Sequence, residues 1–336
     1  MLLIAFEELR DRVGRVLSGL GMTDGRAALA ARLIAETDRD GVVTHGIARL
    51  PRFVEMVRRG RIDVAAEPER EIAAGALERW TGNAGPGNLN AFAMTERALS
   101  LAREYGVGAV ALRDTTHWQR GGTYGWQAAE AGCALLAWTN TMPNLPPWGA
   151  TSAALGNNPL VIAIPRPAGA VVLDMAMSQF SYGALAKYRQ RGEDLPVPGG
   201  FDAAGELTRD PGAIERTQRA LPVGFWKGSG LAFVLDLLGA MLAGGKATHQ
   251  IETDPLAEVG MSQVFLAVDA SALASAAEME RVAEGCIASL HAAQPLVQGQ
   301  PPRYPGEGTL RARERSLREG VRVEETVWAA FTALEA

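Results

Sequence analysis

The chain has 336 residues, of which 47% are hydrophobic and 21% are charged, and its formal net charge is −5. This length exceeds one average domain, so we expect a two-part body or one large α/β unit. The acidic balance gives no electrostatic reason to expect nucleic acid or an acidic membrane as a partner. The first residues become charged too early for a signal peptide, and we expect no stretch long and apolar enough to span a bilayer. The expected location is the cytoplasm.

The start of the chain is predicted to be helical. Apolar residues recur at helical spacing up to Leu20, where Gly21 supplies a stop, and Thr23 can cap a second helix. A third helical stretch begins at Ile47. Residues 1–60 therefore predict a helical layer.

From about residue 72 the pattern changes to short apolar runs that alternate with helical stretches. The runs predict strands at 106–113, 133–139, 160–164, 170–175 and 262–269. Helices are predicted at 88–105, 229–243, 275–293, 309–319 and 324–335. Strands alternating with helices are typical of an α/β sheet that is covered on both faces. We predict an α/β domain of residues 73–274, inserted into a helical domain of residues 1–72 and 275–336.

The usual nucleotide and metal fingerprints are missing from the sequence. No G-x-G-x-x-G opens a helix after a strand, and TGNAGPGN at 81–88 is predicted to be a turn. The sequence contains no H-E-x-x-H, C-x-x-C or G-x-S-x-G, which argues against a zinc site and an α/β-hydrolase. Cys133 and Cys286 lie in apolar stretches and are predicted to be buried, reduced thiols. No metal is expected.

The segment THGIARL places His45 and Arg49 four residues apart. Helical geometry from residue 45 onward would put both side chains on one face. A histidine beside a guanidinium combines a proton donor with a clamp for a carboxylate. The alternative is a capping histidine and a surface arginine.

The segment THWQRGGTYG follows the predicted strand 106–113, so His117 stands where α/β proteins place active-site groups. The glycines would let the backbone approach a ligand closely, and Arg120 is a candidate anion contact. The alternative is a buried histidine packed among aromatic side chains. By contrast, His249 and His291 have no such neighbours and are predicted to be structural or surface residues.

The segment FWKGSG places Lys227 and three small residues before an apolar helix. Free N–H groups at a glycine-rich helix start can bind phosphate, and the lysine adds positive charge. The alternative is an ordinary glycine-rich loop.

Eight segments taken together resemble the type 2 malate/L-lactate dehydrogenase family, the NAD(P)-dependent keto-acid reductases that lack a Rossmann fold. They are, in chain order, THGIARLPRF, THWQRGGTYGWQAAEAG, WTNTMPNLPPWGA, GNNPLVIAIP, LDMAMSQFSYG, LPVPGGFDAAGELTRDPG, WKGSG and YPGE. The resemblance implies a three-layer α/β/α mixed sheet of the L-sulfolactate/type 2 malate dehydrogenase kind, with a helical domain built from both chain ends. It also implies a homodimer whose active site lies near the subunit contact.

The same resemblance implies roles for individual residues. His45 is the expected proton donor, and His117 is expected to line the substrate site, where some members use it as the acid/base group. Arg49 or Arg120 would hold the substrate carboxylate. NAD(H) or NADP(H) is the expected cofactor, with NADH slightly favoured. Its expected contacts are Asn140, Thr141, Val172, Leu173, Asp174, Met175, Ala176, Trp226, Lys227, Gly306 and Glu307.

Two departures bear on the substrate. Many members have His-Phe-Gly where this chain has His117-Trp118-Gln119, which argues against the malate, lactate and ureidoglycolate branches. The chain also has Glu307-Gly308 where the branch acting on diketo sugar acids has His-Glu. The expected substrate is 2,3-diketo-L-gulonate or a related sugar acid. The alternatives are Δ1-piperideine-2-carboxylate or Δ1-pyrroline-2-carboxylate, a malate- or lactate-type substrate, and an interaction protein on an inactive reductase scaffold.

Overall fold

The two ends of the chain meet in one helical layer. The computed structural model describes residues 1–335. The layer contains helices α1 (Phe6–Gly19), α2 (Asp24–Arg39), α3 (Leu50–Arg58) and α11 (Glu325–Thr332) and the antiparallel pair of β1 (Leu2–Ile4) and β11 (Val321–Val323). Its core includes Leu9 and Leu17 of α1 together with Phe331 of α11, all fully buried. Burying each such side chain stabilises the fold by roughly 1.5–3 kcal/mol, which explains why the helical periodicity was a sound guide.

Helix α3 begins later than predicted. Residues Ile47–Arg49 form a single 3-10 turn, and the α-helix begins at Leu50. The expectation that His45 and Arg49 share a helix face is therefore wrong, because His45 lies in the turn that precedes any helical geometry.

Within the described residues, the sequence forms a seven-stranded mixed sheet. Its strands are β2 (Glu69–Ala74), β3 (Leu77–Thr81), β4 (Val107–Thr116), β5 (Ala134–Thr139), β6 (Leu160–Ile164), β7 (Val171–Met175) and β10 (Val259–Val268). Their order is β2-β3-β4-β10-β5-β6-β7, with β3 and β4 parallel and the other neighbours antiparallel. The five predicted strands are confirmed. The hairpin β2–β3 was missed because β2 is exposed along its whole length and carries no apolar alternation.

Helices cover both faces of this sheet. Helices α4 (Gly87–Tyr105) and α5 (Gly122–Glu130) pack on one face, and α8 (Trp226–Ala243) packs on the other. The alternation along β4 shows the division, because Val110 and Leu112 join the core under α4 and α5 whereas Ala111 joins the core under α8. The prediction of a three-layer α/β/α fold is confirmed. Helices α6 (Tyr182–Arg191) and α7 (Pro211–Thr217) flank the hairpin of β8 (Gly200–Phe201) and β9 (Leu207–Thr208), and none of these four elements was predicted.

Helix α8 corrects one expectation. No segment was expected to be long and apolar enough to span a bilayer, but α8 meets that criterion by length and composition. Of its residues, 33% are buried inside the protein. Asp236 on its inner side accepts hydrogen bonds from Asn140 Nδ2 and the Thr248 N–H, each at 2.9 Å. Its outer side exposes Trp226 and Met241, which are 65% and 70% accessible. The helix therefore covers the sheet with one face and presents an apolar face outward.

The C-terminal part adds two helices, α9 (Ala276–His291) and α10 (Glu307–Glu319). Helix α10 packs against α2, whereas α9 contributes no buried residue. Cys133 is buried, but Cys286 on α9 is exposed, so the prediction of two buried thiols was wrong for the second cysteine. The proposed domain limits at 72/73 and 274/275 stay a prediction.

Candidate active site

A cleft of about 510 Å³ opens between the helical layer and the ends of strands β4, β5 and β7. Its volume lies in the range of small-molecule sites. His45 and Arg49 line one wall, and His117 and Arg120 line another. The structure therefore brings together the first two sequence constellations, which lie about seventy residues apart in the chain.

The turn that carries His45 is held by a buried carboxylate that the sequence analysis missed. Oδ2 of Asp38 accepts the N–H of Ile47 at 2.8 Å. A Cβ atom on Gly46 would lie 2.0 Å from the same oxygen, so only glycine fits between His45 and Ile47. The His-Gly pair of the motif is thus a packing requirement that presents His45 to the cleft. Asp38 lies near the C-terminal end of α2, and the sequence alone gave no indication that it turns back under the motif.

The two cleft histidines stack on each other. Their ring centroids are 6.1 Å apart and the rings are inclined by 27°. Nδ1 of His117 accepts the N–H of Gln119 at 2.9 Å, so the neutral ring carries its proton on Nε2. Nδ1 of His45 lies 2.9 Å from the hydroxyl of Thr44.

Both rings are neutral when the cleft holds no anion. Burial lowers the pKa of His45 to about 3, and the charges of Arg49 and Arg120 contribute to the decrease. Burial, together with Arg49, also keeps the pKa of His117 well below its usual range. The prediction that His117 follows directly after a strand is confirmed, because β4 extends to Thr116.

Arg49 carries a positive charge without a protein partner. Its guanidinium makes no hydrogen bond or salt bridge within residues 1–335, and the residue lines the cleft. Burial lowers its pKa to about 10, and Glu258 partly opposes that decrease. Glu258 is bonded instead to Arg52 at 2.7 Å. Arg49 is only partly buried, so its unpaired guanidinium is accessible from the cleft, and this arrangement suits an anionic ligand.

Arg120 differs, because its charge is already paired. Nη1 of Arg120 donates to Oδ2 of Asp40 at 2.8 Å, and both side chains are almost fully buried. Asp40 also accepts hydrogen bonds from Arg39 and Arg313. Burial alone would raise the pKa of Asp40, but Arg313, Arg120 and Arg39 together lower it to about 2. Arg120 thus forms part of the wall with its charge paired to Asp40, although its Nε has no partner in the described residues.

The glycines after Arg120 have a packing role that was not predicted. A Cβ on Gly121 would lie 2.7 Å from the ring of Trp118, and one on Gly125 would lie 2.9 Å from Val161. These glycines let α5 pack against the sheet, and Gly121 also lines the cleft, so the close approach of this backbone to a ligand stays a prediction. Trp118 is buried and packs against the rings of Tyr124 and Phe265 in tilted and edge-to-face arrangements, and this trio anchors the segment that carries His117.

The predicted cofactor contacts divide into two groups. Thr141, Asp174 and Ala176 line the cleft. Oδ2 of Asp174 accepts the N–H of Gly122 at 2.7 Å, and burial raises the pKa of this carboxyl. The remaining predicted contacts do not line the cleft: Asn140, Val172, Leu173, Met175, Trp226, Lys227, Gly306 and Glu307.

Asn140 is 1% exposed, and its side chain is fully used inside the protein. Its Nδ2 donates to Asp236 and to the Lys246 carbonyl, and its Oδ1 accepts the N–H of Ser262. The side-chain amide thus has no free group for a cofactor, and a cofactor contact at Asn140 stays a prediction. Asn140 instead joins β5, β10 and α8 directly before Thr141.

The glycine-rich start of α8 does not offer the expected row of free N–H groups. The amides of Lys227, Gly228 and Ser229 already donate to carbonyls of the preceding turn. The Lys227 side chain is exposed and forms no ion pair among the described residues. Any contribution to an anion therefore comes from the charge of Lys227.

Glu307 is also occupied by the protein. It is buried at the start of α10, where its oxygens contact His291 Nε2 at 3.1 Å and the guanidinium of Arg311. The structure therefore gives Glu307 a role in fixing α10. Gly306 lies against the backbone of Val172, at the edge of β7 that faces away from β6. The N–H of Val172 donates to the Pro305 carbonyl at 3.0 Å.

Comparison with known proteins decides the family. Residues 4–332 match the malate/L-lactate dehydrogenase family model. The chain belongs to this family. It is 40% identical to the 2,3-diketo-L-gulonate reductase of Citrobacter koseri over 331 residues, which cover 98% of this chain and 99% of the relative. Members of the family are dehydrogenases and reductases, and the chain is accordingly an oxidoreductase.

Two solved structures share the fold. The Δ1-piperideine-2-carboxylate reductase of Pseudomonas syringae is 27% identical, with 99% of this chain and 100% of that chain covered and a TM-score of 0.87. The sulfolactate dehydrogenase of Methanocaldococcus jannaschii is 23% identical, with 99% and 96% covered and a TM-score of 0.90. The prediction of a sulfolactate/type 2 malate dehydrogenase fold is confirmed.

Proposed function

We propose that this protein is a cytoplasmic reductase that transfers a hydride from NADH or NADPH to the 2-keto group of a sugar-derived keto acid. The observation that carries the proposal is the unpaired guanidinium of Arg49 beside two stacked, neutral histidines. A 2-keto acid offers a carboxylate for the arginine and an adjacent carbonyl oxygen for the histidines. The 40% identity to a reductase of 2,3-diketo-L-gulonate supports that compound or a related sugar acid as the substrate.

The residues of the cleft fit the nicotinamide end of the cofactor. Thr141 and Asp174 supply polar groups on one wall, and Ala176 leaves that wall uncrowded. The N–H of Val172 points away from β6. Because backbone groups alternate between the two edges of a strand, the backbone N–H and carbonyl of Asp174, two residues later, also point away from β6. Such groups can hold a carboxamide. When bound, the reduced cofactor supplies the hydride.

The protein's own contribution begins with the carboxylate. Arg49 binds it in two parallel hydrogen bonds and fixes which face of the carbonyl is presented. The bound negative charge offsets the charge of Arg49, which is one of the causes of the low pKa of His45. Burial is the largest cause of the low pKa and is not removed by binding, but the anion offsets the part due to Arg49 and so raises the pKa of His45, which favours uptake of a proton together with the substrate. His45 then gives that proton to the carbonyl oxygen as negative charge develops there.

His117 orients the same oxygen. Because its Nδ1 accepts the Gln119 N–H, the Nε2–H is available as a donor that does not need to titrate. Arg120, held by Asp40, closes the wall behind the substrate and adds positive potential. Lys227 contacts a phosphate of the cofactor through its charge.

The protein acts as a homodimer in this proposal. The outer face of α8 exposes Phe233, Val234, Leu237, Leu238 and Met241, which recur at helical spacing and have no partner within residues 1–335. A contiguous apolar face of five large exposed side chains is typical of a subunit contact. A second copy covers it through two-fold pairing of α8 with itself. Light scattering tests this directly, since Met241→Lys together with Phe233→Glu should give a monomer where the wild type gives a dimer.

A screen of substrates tests the function. Loss of absorbance at the nicotinamide band is followed with NADH and with NADPH, each offered 2,3-diketo-L-gulonate, 2-ketogluconate, pyruvate, oxaloacetate and Δ1-piperideine-2-carboxylate. The expected result is fastest turnover of a sugar-derived keto acid. Faster turnover of the cyclic imine would favour the second candidate, which the 27% identity to the Pseudomonas syringae reductase supports. Cofactor binding without turnover of any compound would overturn the proposal.

A further inference from the structure

Gln119 has a backbone conformation that glutamine seldom adopts. Its φ is 63°, in the left-handed region where a side chain is sterically disfavoured. Strain of this kind persists where the surrounding structure imposes it, and it clusters at sites that bind ligands. The strained residue here lies two positions after His117 and lines the cleft.

The amide of Gln119 has no partner in the protein. The residue is only 8% exposed, and within residues 1–335 its sole hydrogen bond runs from the backbone N–H to Nδ1 of His117. A side-chain amide carries two donor hydrogens and an acceptor oxygen, and both amide atoms of Gln119 keep some accessible surface. The cleft is where a partner for them can enter.

The neighbours of Gln119 indicate which part of a substrate meets it. Gln119 lines a small side cavity of the cleft together with Arg49, His117 and Arg52. Under the proposed function, Arg49 holds C1 and the histidines address the oxygen on C2. Gln119 lies beside Arg49 and His117, so the next substrate atom that it can reach is C3.

We propose that Gln119 determines specificity by hydrogen bonding to an oxygen substituent on C3 of the 2-keto acid. This inference rests on the proposed function and names its substrate class as 2-keto acids with a hydroxyl or carbonyl group at C3. A site built to pair such an oxygen rejects the analogue that lacks it, because the bound analogue would cover the amide and leave it unpaired.

The chain offers a matched control in Gln218. This residue also lines the cleft and also has a positive φ, 55°. It is exposed, however, and its Nε2 already donates to the Glu215 carbonyl at 2.7 Å. Replacing either glutamine by glycine removes an amide and relieves the same kind of backbone strain, so both variants should fold.

The test uses pairs of substrates that differ only by the oxygen on C3. Hydroxypyruvate is compared with pyruvate, and 2-ketogluconate with 2-keto-3-deoxygluconate, by kcat/KM with the preferred cofactor. Wild type and Gln218→Gly should prefer the oxygenated member of each pair. Gln119→Gly should lose this preference by roughly 10- to 100-fold, the effect of one hydrogen-bond partner, because its kcat/KM should fall more for the oxygenated member of each pair than for the member without the oxygen.

Three outcomes separate the possibilities. Equal losses on both members of each pair in Gln119→Gly would overturn the inference and assign the amide to the carboxylate or to folding. Gln119→Asn, which tolerates a positive φ and keeps a shorter amide, should retain part of the preference, and its melting temperature shows whether the fold is intact. If the wild type reduces no 2-keto acid with either cofactor, the proposed function itself fails.

Discussion

The two walls of the cleft carry arginines in opposite electrostatic situations. Arg49, on the wall from the helical layer, has no partner among the described residues, and burial lowers its pKa to about 10. Arg120, on the wall after β4, is held by Asp40, which also binds Arg39 and Arg313. The sequence made both arginines equal candidates for the substrate carboxylate. The difference shows that an arginine in a cleft wall is a stronger candidate for binding an anion when no carboxylate of the protein already pairs with it.

The largest expected effect concerns the proton donor on the first wall. His45→Ala should lower kcat by roughly 10²- to 10⁴-fold, because proton transfer to the oxygen is lost while binding through Arg49 remains. Since the protonated ring is the active form, wild-type kcat should fall as pH rises through the pKa of His45 in the substrate complex. Steady-state kinetics should show that this limb is missing from the variant. Near-normal turnover in His45→Ala would break the assignment of chemistry to this wall.

On the second wall, the main expected effect of a substitution is a loss of folding stability. Asp40→Asn leaves three buried or half-buried guanidinium groups without their carboxylate, at a cost of about 3–5 kcal/mol in the free energy of unfolding. Glu130→Gln is the matched control, because Glu130 also contacts Arg313 but is largely exposed, and it should cost less than about 1 kcal/mol. Urea unfolding measures both. Equal effects would show that the Asp40 network is no stronger than a surface ion pair.

The same carboxylate gives a pH dependence of defined sign. The pKa of Asp40 lies at about 2 in the folded protein and is higher when unfolded, so its contribution is fully present above about pH 4. That contribution, about 2 kcal/mol, should be lost as pH falls through about 2. Acid unfolding of Asp40→Asn should lack this component.

A smaller effect is expected for His117. His117→Asn keeps a donor and an acceptor but removes the ring, so it should raise KM and lower kcat by roughly 10-fold or less, with the pH limb of kcat retained. Loss of that limb in His117→Asn, with the limb intact in His45→Ala, would reverse the two roles. Unchanged kinetics combined with a fall in melting temperature would make His117 a packing residue.

The smallest effect should be at α8. Lys227→Met should weaken NAD(P)H binding by roughly two- to fivefold, since the N–H groups that would have supported a phosphate are already used and only an exposed charge is removed. Fluorescence titration of the cofactor checks this. A decrease in cofactor affinity above roughly 100-fold would mean that the start of α8 binds the phosphates through more than the exposed charge of Lys227.

Regular elements could be predicted because their cause is local. Buried strands such as β5 and β6 and amphipathic helices such as α1 carry their periodicity in consecutive residues. The exposed strand β2 and the short elements between α6 and β9 have no such signal.

The site was predictable in its residue types and less so in their partners. His45, His117 and Arg49 were identified from motifs, and they meet in one cleft. The pairing of Arg120 with Asp40 joins residues eighty positions apart, and no local pattern encodes it. The packing role of the glycines after Arg120 was not predicted, because close packing against a neighbouring strand and close approach to a ligand require the same residue.

The most direct test of the contrast between the two walls is the preference for a carboxylate. The kcat/KM of a 2-keto acid is divided by that of its methyl ester, for wild type, Arg49→Ala and Arg49→Lys. The account predicts that the wild type favours the acid and that Arg49→Ala loses roughly 10²-fold of this ratio, the effect of a charge-assisted pair, with Arg49→Lys between them. An unchanged ratio in Arg49→Ala would contradict the account, because the carboxylate would then be bound elsewhere.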